Sequence, residues 1–530
     1  MPQYTLTLLD TPGIQPYIFA SNRLRESIGA SELVRLATTV WPRDVLRATC
    51  RCNVAGDDAR IEDGDLDAEV IYVGGGNCLI LFRELERARR FATALSRKLH
   101  EAAPGLEMAA VHVPVDWESD SLQEQVAEAH RQLAQAKATA PKSAPLAGLG
   151  VTAACQSTGL VATRTSADYH PSRTDEAPYP ISDAVAAKLA MSSAAQERLI
   201  DLFPEDVKRA GFEFPLDLDQ FSRSVDEMSY IAVVHADGNR MGEHFKRASA
   251  GAASARDYVT RMRTASADVE GAAMSALQRT LSALVCAVRD EGRDGHWVGS
   301  KDYSRVPMVD MNLPFRPLVF GGDDVTFVCD GRLGLTLAAH YLEAFEEEAQ
   351  NLDGSPKACA GVAVVKRHYP FARAYELSQQ LTQSAKHLSR RHADASALDW
   401  HFAASGLLGT LDEIRQREYK VDGGSLAQRP LRLRADGRDG WPGFVGVVDA
   451  FVTQWRDRRN KVMTLREALR GGTEATRTFL KSYNEGLPEL EPSIHELQES
   501  GWSNGRCGFF DAIEAMDFYV PLKGGSHGDV

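Results

Sequence analysis

The chain has 530 residues, 44% of them hydrophobic and 25% charged, with a formal net charge of -13. That composition suits a soluble globular protein of several domains, excludes disordered and fibrous classes, and holds no apolar run long enough to span a membrane. The acidic balance does not advertise a general nucleic-acid surface, so RNA is compatible with a local basic groove but not implied by charge. The eight cysteines are scattered without a C-x-x-C pair, and the N-terminus lacks a secretion signal. Reduced thiols, a cytoplasmic location and no membrane partner are expected.

In chain order, Tyr4 to Leu9 alternates Thr with apolar residues as a strand does, and Asp10-Thr-Pro-Gly13 is turn chemistry. Ile14, Tyr17, Ile18, Leu24 and Ile28 form a helical stripe that Gly29 is expected to end. Residues 69–82 read as strand, glycine-rich turn and strand. A helix over 85–102, a strand over 108–113 and a helix ending at Lys137 follow. Residues 141–225 open Pro/Ala/Gly-rich and read as linker. Cys155 offers one sulfur where a metal knuckle needs two, and is read as structural.

The pattern then repeats. Tyr230-Ile-Ala-Val-Val-His-Ala-Asp-Gly-Asn-Arg-Met-Gly242 is an apolar strand running into Asp237, with a helix starting near Gly242. An Ala-rich helical insertion over 248–289 separates it from Pro317-Leu-Val-Phe-Gly-Gly-Asp-Asp-Val-Thr-Phe-Val-Cys329, a hairpin with Gly321 to Asp324 at its tip. A helix over 335–349, a strand over 358–365, a helix ending at Lys386 and a strand over 398–402 complete this copy. Gly74 to Lys137 spans 63 positions and Gly321 to Lys386 spans 65, which indicates an internal duplication. Beyond 403 the chain reads as helices over 445–456, 464–469, 473–483, 493–499 and 509–516. The basic cluster at 456–461 reads as a solvated helix face.

The expected class is α+β: two ferredoxin-like domains at 1–145 and 227–402, a linker or small helical region at 146–226, and a mostly helical domain at 403–530. An isolated GGDD is an ordinary turn. In a ferredoxin-like sheet, however, the first strand lies beside the central hairpin. Asp237 then faces Asp323 and Asp324, three carboxylates whose repulsion a divalent cation relieves. The first copy has Gly76 and Asn77 at the corresponding tip and is expected to be catalytically empty. The strand-to-helix turn after Asp237 offers backbone N–H groups and a helix N-terminus to a phosphate. Two-metal chemistry joining a sugar hydroxyl to an α-phosphorus, with pyrophosphate leaving, would use such carboxylates.

The GGDD tip, the Asp237-Gly-Asn turn, the Ala-Lys end of the later helix and the degenerate twin together resemble the polymerase-like large subunit of type III CRISPR effector complexes. Those subunits have two palm domains of the kind also found in diguanylate cyclases. Phe19-Ala-Ser-Asn-Arg-Leu24 and Gly29-Ala-Ser31 extend the likeness towards the N-terminus. The resemblance implies ATP as substrate, Mg2+ (or Mn2+) as cofactor, and cyclic oligoadenylate or cyclic dinucleotide messengers in antiviral defence. Asp323 and Asp324 would be the catalytic pair, with Asp237 the third metal ligand. Gly238, Asn239, Arg240, Met241, Gly242, Gly321 and Gly322 would cradle the nucleotide, and Lys386 would pair with its β/γ oxygens.

Several departures qualify the resemblance. No His-Asp nuclease segment precedes the first palm, so DNA cutting is not expected. The zinc module between the family's palms is reduced to Cys155, and Asn239 stands where related cyclases often carry Asp. The expected partners are nucleoside triphosphates and either a second copy of the chain or CRISPR-type defence proteins. The alternative is a catalytically silent nucleotide-binding or scaffold subunit. A template-dependent polymerase is disfavoured because no basic primer-template channel is evident.

Overall fold

The structure is a computed structural model that describes residues 3–53, 59–140, 148–169, 177–221, 229–292, 295–299, 303, 305–393, 395–403, 409–483 and 486–522. The chain forms two compact units, the first comprising 1–202, 240–271 and 321–323, and the second comprising 203–239, 272–320 and 324–530.

In the first unit, β1 (Gln3–Asp10) leads through a short helix, Ile14–Phe19, into α1 (Leu24–Arg35). The chain then makes β2 (Ala68–Gly74), β3 (Asn77–Phe82), α2 (Leu85–Ala102), β4 (Ala109–Asp116) and α3 (Leu122–Thr139). The sheet order β2-β3-β1-β4 is antiparallel throughout, the ferredoxin-like order expected for this copy. Its core joins Leu6 and Leu8 of β1, Leu79 and Leu81 of β3, and Val126 and Leu133 of α3. These are alternate strand positions and one helical stripe, the two periodicities that bury one side of each element.

Gly29 does not end its helix. The break comes earlier, at 20–23, and α1 runs through Gly29 to Arg35. Residues 146–226, read as linker or small helical region, supply α4 (Asp183–Leu202), which packs along α1. A Cβ on Gly29 would stand 1.6 Å from the Lys188 carbonyl oxygen. The glycine therefore permits close approach of two helices. The reading of 141–225 as linker falls partly outside the described residues, at 141–147, 170–176 and 222–225.

The second unit opens its sheet with β5 (Tyr230–Gly238); next in the chain come α5 (Met241–Ser249), which belongs to the first unit, and α6 (Ala255–Cys286), the insertion foreseen as helical. The first half of α6 belongs to the first unit, where Tyr258 and Val259 join the core just described. Then come β6 (Phe315–Gly321), β7 (Asp324–Asp330), α7 (Gly334–Ala349), β8 (Ala358–Lys366), α8 (Phe371–Arg391), β9 (Ala397–Ala403) and β10 (Leu431–Arg432). The sheet order is β6-β7-β5-β8-β9-β10, so its first four strands repeat the order of the first sheet. β9 extends it by pairing parallel to β8.

The C-terminal part contains the expected helices, observed at Trp441–Gln454, Arg459–Arg470, Gly472–Tyr483 and Phe510–Ala515. Residues 493–499 fall instead in a 3-10 segment, Pro492–Leu497. A small sheet of two-residue strands between 420 and 507 also appears there, too short for any periodicity to announce. A fully buried Arg429–Asp511 ion pair at 2.8 Å ties this part together, with the guanidinium over the Tyr419 and Trp400 rings.

Candidate metal and nucleotide site

His235 and Asp237 are two residues apart on β5 and so share one side of the strand. β7 runs antiparallel beside it, with Thr326 opposite His235 and Val325 opposite Ala236. The next step along β7 brings Asp324 level with Asp237. One ligand atom each from His235, Asp237 and Asp324 lies within 4.8 Å of the other two. Two carboxylates and an imidazole at that spacing fit a divalent cation. Asp323 stands one position earlier, in the turn, and is not part of this three-residue group.

α8 covers this side of β5. Thr382 Oγ1 donates to the His235 carbonyl at 2.8 Å, and the Tyr375 ring meets the imidazole edge-on at a centroid distance of 5.5 Å. Lys386, one helical turn beyond Thr382, donates from Nζ to Asp237 Oδ2 and to the Gly238 carbonyl at 2.8 Å. The helix lysine expected to meet a triphosphate is thus held by a carboxylate of the metal cluster. His235 Nδ1 lies 3.1 Å from Thr326 Oγ1. Burial pushes the imidazole down to about 4, against the opposing pull of Asp237, so the ring is neutral at pH 7.

The proposed cradle divides into several parts. Asn239 is buried, with its backbone N–H on the Lys357 carbonyl at 2.7 Å and its side-chain Nδ2 on Ser389 Oγ at 2.9 Å. Arg240 adopts a left-handed φ of 50° immediately before α5, whose first residues are Met241, buried, and Gly242. Gly321 and Gly322 have φ values of 144° and 71°, which explains both glycines on backbone grounds. In the first copy the tip residues Gly75 and Gly76 both have positive φ, at 58° and 84°. Gly76, the counterpart of Asp323, therefore sits in a conformation that disfavours an L side chain.

The first sheet shows what has been lost. Asp10 faces Asn77 and Leu8 faces Leu79, in the same register as Asp237 with Asp324 and His235 with Thr326. Lys137 pairs with Asp10 as Lys386 does with Asp237. The lysine–carboxylate pair is common to both copies, whereas the second carboxylate and the histidine occur only in the second. Sequence reasoning overlooked Asp10 and His235. The signal was present, since both first strands carry an Asp at or next to their last position and only one has a polar residue two positions before that Asp.

Residues 230–395, from β5 to just past α8, match the family model for the Cas10/Cmr2 second palm domain. No curated protein sequence matches the chain. Among solved structures, a Csm1–Csm4 cassette in complex with pppApApA aligns with a TM-score of 0.53 at 12% identity, over 98% of this chain and 70% of that one. Csm1–Csm4 cassettes with cA4 and in the apo form align with TM-scores of 0.50 at 13% identity, each over 97% of this chain and 70% of theirs. The shared feature at this identity is the fold, and it runs through both palms.

Proposed function

We propose that the chain is a divalent-metal-dependent nucleotidyltransferase that joins nucleoside triphosphates, ATP foremost, into a cyclic oligoadenylate or cyclic dinucleotide. The observation that carries this reading is the Asp237–Asp324 pair in the palm matched to Cas10/Cmr2, set against the uncharged Asn77 facing Asp10 in the other palm. The cA4 and pppApApA named for the aligned Csm1–Csm4 structures support adenine as the base. A bound Mg2+ or Mn2+ would supply charge neutralisation at the α-phosphate and a more acidic attacking hydroxyl.

The chain's own residues then have distinct tasks. Asp237 and Asp324 would hold the cation, with Asp323 next to Asp324 in the chain. The first turn of α5, after Arg240, offers backbone N–H groups to phosphate oxygens. Lys386 would move its ammonium from Asp237 to the β/γ oxygens, stabilising the pyrophosphate that leaves as the 3′ (or 2′) hydroxyl oxygen bonds to the α-phosphorus and its proton passes to water. Protein partners of the type III CRISPR kind, as in the Csm1–Csm4 structures, fit a palm of this family.

The test is incubation with each nucleoside triphosphate and Mg2+ or Mn2+, with products resolved by mass spectrometry. Wild type is expected to form a cyclic adenylate product that a doubly substituted Asp323→Ala/Asp324→Ala chain does not. Equal product from both would refute the assignment. The hold of Lys386 on Asp237 favours one other reading, a nucleotide-binding module without turnover. Mg2+-dependent binding of a non-hydrolysable ATP analogue, with no product from ATP under any condition, would establish that reading instead.

A further inference from the structure

Resting on that metal-site reading, we infer that His235 is itself a ligand of the cation, so that the site takes a transition-metal divalent ion such as Mn2+ in preference to Mg2+. Two carboxylates alone would not discriminate in this way. Oxygen donors suit Mg2+, which demands near-octahedral oxygen coordination, whereas an imidazole nitrogen shifts preference towards first-row transition ions. His235 meets the geometric requirement, with a ring nitrogen within 4.8 Å of ligand oxygens of both Asp237 and Asp324.

Its surroundings are those of an oriented ligand. Thr326 Oγ1 lies against Nδ1, Tyr375 packs edge-on, and the hydroxyl of Thr382 fixes the backbone carbonyl. Metal-binding histidines are commonly held in this manner through the other ring nitrogen, which leaves Nε2 as the donor. A core role would need none of this polarity, as the first palm shows, where the Leu8–Leu79 pair occupies the same register and packs as ordinary core. The histidine occurs only in the palm whose facing strand ends provide two carboxylates.

The test uses the full chain loaded with Mn2+ alone and pulsed electron paramagnetic resonance, which detects a directly bound 14N without any need for turnover. One imidazole nitrogen coupled to the ion is expected in wild type. His235→Gln should lose that coupling and weaken Mn2+ binding about tenfold or more, since even outer-sphere partners are worth about tenfold to a hundredfold. Mg2+ affinity, measured by competition, should change by less than about threefold, as expected where oxygen donors hold that ion. Bound Mn2+ with no 14N coupling in wild type, or the same coupling retained in the variant, overturns the inference whether or not the variant folds well. Asp324→Asn separates the two readings. If it abolishes Mn2+ binding while wild type shows no 14N coupling, the carboxylate site stands and only the role of His235 falls; if it leaves Mn2+ binding intact, both fall.

Discussion

Replacing Lys386 with methionine should loosen the metal-free protein and tighten its hold on divalent ions. The Lys386 and Asp237 side chains are 11% and 22% exposed, and Nζ makes two hydrogen bonds, one to a carboxylate. Exposed pairs contribute about 0–1 kcal/mol and breaking a buried pair costs about 3–5 kcal/mol, so an intermediate value of about 2 kcal/mol is appropriate here. Lys386→Met should therefore destabilise the second unit by that amount in chelator. A metal ion no longer has to displace an ammonium from Asp237, so divalent affinity should rise about tenfold to thirtyfold, the same free energy expressed as binding. Thermal unfolding in EDTA and in Mn2+ or Mg2+, with calorimetric titration of the ion, reads both effects. Unchanged metal affinity in a variant that melts like wild type would refute the competition.

Three further outcomes follow from the packing. Gly29→Ala places a Cβ against the Lys188 carbonyl and should cost about 1–3 kcal/mol or more, seen as a lowered melting transition of the first unit; a neutral result would mean that α1 and α4 can move apart freely. Arg429→Met leaves Asp511 as an uncompensated buried carboxylate and should cost about 3–5 kcal/mol, while a loss below about 1 kcal/mol in denaturant melts would contradict the buried pair. Burial holds the Lys188 ammonium down at about 8, with Nζ on the Tyr17 carbonyl at 2.6 Å. Because the unfolded chain binds the proton more tightly, the stability of wild type relative to Lys188→Met should increase between pH 8 and about 10.5, by about 1.4 kcal/mol per pH unit at most. A flat difference would show that the lysine is not protonation-strained.

Much of this architecture was legible because it rests on periodicity. The two hairpins, the helices over 85–102 and 335–349 and the strands that follow were recoverable from alternating or helical apolar patterns, and the near-equal spacing of the copies reflected a real duplication. Gly29 was misread because a glycine that admits a neighbouring helix looks, in one dimension, like a glycine that ends its own. The helical content expected within 146–226 was left without bounds, since the hydrophobic face of α4 is defined by α1, more than 140 residues earlier. In the site, Asp237 and the GGDD tip were visible as motifs. His235 was not, because a histidine within an apolar strand shows its chemistry only when register places it beside Asp324. The partner chosen by Lys386 is likewise a fact of tertiary packing that helix-end spacing cannot reveal.

On the proposed function, the second palm alone carries nucleotidyl-transfer chemistry, through Asp237 and Asp324. Pyrophosphate release from ATP by the full chain, measured in Mn2+ and in Mg2+ beside an Asp324→Asn variant shown to be folded, tests it most directly. Release by wild type and a fall of about a hundredfold or more in the variant are expected, the scale on which loss of a preorganised transition-state contact is felt. Equal release by both proteins, or none by wild type with either ion, would contradict it.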